Sequence, residues 1–132
     1  MASQNVFTDY AEKKALDAVF NDTDRTYTMA LYTVTPTETT SGIEVSTDST
    51  GYSRQTISFG AATGSGTTPS KVTNDIMVTF GPASSNWGTV TGIAIFDDLG
   101  NMLVYGTLEA SQTVATGNKV EFAVGAVEIS LD

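Results

Sequence analysis

Residues 87–132 read W-G-T-V-T-G-I-A-I-F-D, then G-N-M-L-V-Y-G-T-L, then G-N-K-V-E-F-A-V-G-A-V-E-I-S-L-D. Apolar residues alternate with small or polar ones in short runs, and Gly, Asn or Asp closes each run. A period of two sets one face of a strand on a core and leaves the other to water. This part of the chain therefore builds sheet, and nothing in it resembles a grouping of residues that carries chemistry.

The same pattern extends upstream. Strands are expected at Tyr27–Val34, with Met29 and Leu31 facing one way, and briefly at an edge over 43–45. A strand over 52–59 has Ile57 and Phe59 on one side and Arg54, Thr56 and Ser58 on the other. Residues 71–80 form another, with Ile76, Val78 and Phe80 inward. Strands over 89–96 and 102–108 are joined by D-D-L-G-N, which suits a hairpin. Segments 119–124 and 127–131 complete the set. The Pro36-bearing stretch 35–42 reads as a polar loop, and G-A-A-T-G-S-G-T-T-P-S over 60–70 as a flexible one. One helix stands out, Asp9–Phe20, where Asp9 with Glu12 resembles a capping box and N-D-T-D at 21–24 forms the terminating turn. The expectation is an all-β, jelly-roll-like sandwich of about eight antiparallel strands. It is a single domain over 1–132, divided into an arm and helix over 1–24 and a β-sandwich over 25–132.

Composition narrows the chemistry. At 132 residues the chain can bury a core without disulfides or metals. The absence of His and Cys removes the commonest general base, thiolate nucleophiles and zinc–thiolate sites. Six basic against fifteen acidic side chains give a net charge of −9, which argues against nucleic acid or an anionic membrane as a partner. The first twenty residues contain Glu12, Lys13, Lys14 and Asp17 and no unbroken apolar run, so no secretory signal is expected. A soluble protein, cytoplasmic in the cell that makes it, follows as the expectation.

Each candidate site has a plainer structural explanation. Asp97 and Asp98, beside Leu99, Gly100 and Asn101, fit a turn better than a calcium loop, which needs more oxygen ligands at regular spacing. Asn21, Asp22 and Asp24 fit helix termination, although Asn21-Asp22-Thr23 also matches a glycosylation sequon. Trp87 fits a plug at the end of a core. Tyr52 and Arg54 read as structural too, with Arg54 pairing with a carboxylate inside the fold or across a subunit contact. The glycines of 60–66 lack the G-K-S or G-K-T of a phosphate loop. No Ser, Thr or Lys has a recognisable base beside it, so the chain is read as a non-enzyme with no metal and no cofactor.

Five stretches, taken in order, resemble a known family. They are D-Y-A-E-K-K-A-L-D-A-V-F, M-A-L-Y-T-V-T-P-T-E, E-V-S-T-D-S-T-G-Y-S-R-Q-T-I-S-F-G-A-A, the W-G-T-V-T-G-I-A-I-F-D run and the G-N-K-V-E-F-A-V-G-A-V-E-I-S-L-D ending. Together they are similar to small jelly-roll virion proteins of tailed bacteriophages, a grouping of capsid decoration (cement) proteins and proteins labelled tail-fibre proteins. Gly51, Tyr52 and Arg54 match one motif of that family. Trp87, Gly88 and Asp97 match another, and Gly125, Ile129 and Leu131 match the ending. Gly92-Ile93 departs from the pattern, since relatives carry a bulkier or His-containing pair there. The resemblance implies a structural virion protein without catalytic residues. Because the chain holds no shaft-forming repeat, the first expectation is a cement protein that binds the phage major capsid protein on the outer head surface as a homotrimer. The alternative is a tail-fibre or tail-tip component that contacts tail proteins or a host surface receptor, and a glycan-active enzyme ranks third. Val6, Phe7, Tyr10, Leu16 and Phe20 are the candidate capsid or intersubunit contacts.

Overall fold

The computed structural model describes residues 6–131. Helix α1 spans Asp9–Phe20 as expected, but its cap is one residue earlier than the sequence implies. Thr8 is extended and its Oγ1 accepts from the Ala11 N–H at 3.2 Å. Asp9 and Glu12 instead place negative charge in the first turn, where the helix dipole favours it. Glu12 turns inward and accepts from the Ser70 hydroxyl at 3.2 Å.

Among the described residues ten strands follow, where about eight were expected. They are β1 (Tyr27–Val34), β2 (Ile43–Glu44), β3 (Gln55–Ile57), β4 (Thr63–Ser65), β5 (Thr68–Thr73), β6 (Val78–Phe80), β7 (Gly88–Asp97), β8 (Met102–Val114), β9 (Val120–Phe122) and β10 (Glu128–Leu131). One sheet runs β2-β1-β7-β8, with β3 also paired to β1, a second runs β10-β5-β4, and β6 pairs with β9. All these pairings are antiparallel. The result is the expected all-β sandwich. Its core draws on every sheet, including Met29, Leu31, Ile57, Val72, Phe80 and Ile95. Fully burying a side chain of this size stabilises the fold by about 1.5–3 kcal/mol.

Two stretches depart from the sequence reading. The stretch 60–70 is no loop, because β4 and the start of β5 form a hairpin there. Its residues are too small and polar to show alternation, and pairing rests on the backbone and on α1, which packs over it. The Lys13 ammonium donates to the Gly64 carbonyl at 3.2 Å, and the Ala62 N–H donates to Asp17 at 2.9 Å. Gly64 has φ +142°, and a Cβ there would lie 2.6 Å from the Ser70 Cα, so strand approach requires glycine. The stretch 71–80 is likewise two strands. A turn at 74–77 breaks the period and leaves Ile76 exposed, not inward.

Candidate functional site

The most elaborate polar cluster lies where β1 receives two short partners on one edge. β3 pairs with Tyr27–Met29 and β2 with Tyr32–Val34, which leaves Leu31 between them. The Leu31 carbonyl accepts from the Val45 N–H at 3.0 Å, and its N–H donates to the Tyr52 hydroxyl at 3.0 Å. A side chain thus replaces the missing ladder bond. The same hydroxyl donates to Glu44 at 2.7 Å, and Arg54 grips that carboxylate with two bonds of 2.9 and 3.1 Å. Arg54 also lies 4.0 Å above the Phe96 ring, covering a small second core of Ala30, Tyr32, Ala94 and Phe96 on the outer face of the sheet.

Electrostatics follow from this geometry. Burial alone raises the Glu44 carboxyl, but the hydrogen bonds from Arg54 and Tyr52 outweigh it and hold Glu44 below the usual value. Burial, then the bond to Glu44, pushes the Tyr52 phenol far above its ordinary range, so it stays neutral. Every group in the cluster is engaged by another, so the cluster fastens β1, β2 and the 52–54 segment together. It presents no free base or nucleophile.

The remaining polar candidates are also inward-looking. Trp87 is buried and donates its indole N–H to the Thr50 carbonyl at 2.8 Å. Its ring stands edge-on to Tyr52, with centroids 5.6 Å apart, so neither face is offered to a ligand. Asp97 accepts from the Leu99 and Asn101 N–H groups at 2.9 Å, and Asn101, chiefly through its side-chain amide, holds its carboxyl below the usual range. Asp98 pairs with Arg25 at 3.4 Å. The Asn21 amide bridges Asp17 and the Gly60 carbonyl. Among the described residues no three acidic side chains converge as metal ligands, and no helix is long and apolar enough to cross a membrane.

The five proposed contact residues divide sharply. Val6, Phe7 and Tyr10 are 91%, 62% and 70% exposed, whereas Leu16 and Phe20 are 4% and 5% exposed. The latter two face the sandwich because they lie on the inward stripe of α1, and Phe20 meets the Phe59 ring edge-on at 5.5 Å. They belong to the core and are not available to another chain in this conformation. Among the described residues the arm ahead of α1 holds the most exposed large apolar side chain in the molecule, Val6.

One feature is invisible in the sequence reading. A groove of about 880 Å³ opens between β8, β9 and β10. Each of these strands is the last of its sheet among the described residues, so three sheet edges border one opening. Ile93, Val104, Leu108, Phe122, Val127 and Ile129 give it an apolar floor. β8 leaves register with β7 here, spanning 107–112 where β7 spans only 90–92, and the excess bulges along one wall. The run L-E-A-S-Q-T over 108–113 looks like the end of a strand, which is why the sequence reading stops β8 at 108.

Compared with known protein families, residues 6–130 match the family described as Podophage GP4 fiber I protein gp80. No curated protein matches the chain.

Proposed function

The chain belongs to the podophage GP4 fiber I protein gp80 family of phage virion structural proteins, and we propose from that premise that it is a fibre-type component of the podophage tail. The family match carries this reading, because it runs through α1 and nine complete strands into the tenth. The protein acts by binding, without catalysis or cofactor. Its partners are tail proteins on one side and a host surface receptor on the other, and it assembles as a homotrimer. Within a fibre it serves as a compact module and not as the shaft, because α1, with 12 residues, is the one helix among the described residues and carries no heptad array. The exposed Thr-rich loops over 37–42 and 46–49 are the surfaces offered to a receptor.

The lack of a shaft also favours a second placement, as a decoration protein bound to the major capsid protein on the head. Gold-labelled antibody against the protein on intact virions separates the two. Label confined to the tail is the expected result, and label spread over the head would replace the fibre reading with capsid decoration. Adsorption of the purified protein to host cells, lost when 37–42 is replaced by a Gly-Ser loop of equal length, tests receptor contact.

A further inference from the structure

The groove and the arm are each incomplete, and they complement one another. The groove offers an apolar floor and unpaired strand edges, a combination that takes up an added strand through main-chain bonds and side-chain pockets. The arm supplies two consecutive exposed large apolar side chains, Val6 and Phe7, ahead of the extended Thr8. Charge agrees with the match. Glu109, Glu121 and Glu128 outnumber Lys119 around the groove, so an acidic segment would be repelled, whereas residues 1–8 carry no charged side chain.

The arm leaves α1 at the end away from the groove of its own chain. The first turns of α1 sit at the β4–β5 hairpin, where Lys13 holds Gly64. The last turn instead packs near Leu103, Val104 and Ile129, on the groove side. The helix is about 18 Å long, and the two residues from Phe7 to Asp9 span only about 7 Å. Phe7 is therefore held at the wrong end of its own helix.

We propose that the groove receives the N-terminal arm of a second copy, with Val6 and Phe7 seated on its floor and the backbone added along β8. The contact joins two different surfaces, arm to groove, and the proposed rotation between subunits closes, so that repetition gives a ring and not an open filament. This holds wherever on the virion the protein sits.

The test uses two variants, each altering an exposed position: V6D/F7D in the arm and A110R in the groove wall. Mass is read by light scattering after size-exclusion chromatography, with thermal melts to confirm folding. Wild type is expected to run as a closed oligomer, and each variant as a monomer that still melts cooperatively but at a lower temperature, since association no longer stabilises the fold. An equimolar mixture of the two variants retains one intact junction and is expected to give a two-chain species and nothing larger. A monomeric wild type at 100 µM, retention of wild-type mass by V6D/F7D, or a mixture that stays monomeric would each overturn the proposal.

Discussion

Tyr52→Phe isolates the hydroxyl that fills the gap between β2 and β3. The ring keeps its stacking on Phe80 and its edge contact with Trp87, so packing is preserved. Two bonds disappear. The Leu31 N–H, on a fully buried residue, loses its acceptor, which costs about 1–3 kcal/mol for an orphaned buried donor. Glu44 loses a donor but keeps Arg54 and is a quarter exposed, so water and the guanidinium limit this second loss to about 1 kcal/mol. The total is about 2–4 kcal/mol. With an unfolding entropy of about 0.28 kcal/mol per kelvin for this chain length, the melting temperature should fall by about 7–14 °C. Urea unfolding should show a lower midpoint at unchanged slope, since the surface exposed on unfolding is the same. A loss below about 1 kcal/mol would refute the claim that the hydroxyl substitutes for a ladder bond.

Three further substitutions probe other parts of the argument. Asn74→Ala removes bonds to the Ile76 and Ala123 carbonyls and from the Val127 N–H, and should cost about 3–5 kcal/mol in urea unfolding; a loss near zero would mean that the two turns hold themselves. Glu44→Gln should change the acid limb of stability. Because folding lowers the Glu44 pKa, its contribution is present above the unfolded value of 4.5 and lost as pH falls through the lower folded one, so wild type and variant should converge in melts between pH 6 and 3. A gap that stays constant across that range would assign the effect to packing. Gly92→Ala would place a Cβ against the Thr35 side chain and 2.9 Å from the Gly106 carbonyl oxygen, and should cost about 1–3 kcal/mol, partly recovered by Thr35→Ala. An unchanged melting temperature would show that β1 and β8 yield there.

Gly92 also shows what a sequence does and does not disclose. As a departure from the family pattern it was visible, but its reason, the close approach of Thr35, exists only in three dimensions. Long alternating runs such as β7 and its D-D-L-G-N turn were legible because their signal is local. The β4–β5 hairpin was not, since its small polar residues pair under cover of a helix fifty residues away in sequence. Arg54 was expected to find a carboxylate, and the partner is Glu44, inside the fold. Of the candidate contacts, the helix period alone could not say which of Tyr10, Leu16 and Phe20 faced inward. The groove was illegible altogether, because it is defined by which strands end their sheets, a property of pairing and not of any one segment.

The order of the strands has a consequence for synthesis. β5 pairs with β10, β6 with β9, and the buried Asn74 waits for the backbone of Ala123 and Val127. The middle of the chain therefore leaves the ribosome well before its partners, and the sandwich cannot close until residues 120–131 have emerged. Until then Val72, Val78 and Phe80 stand uncovered. Folding therefore passes through a window of exposed apolar strand in which a crowded cell must keep nascent copies apart.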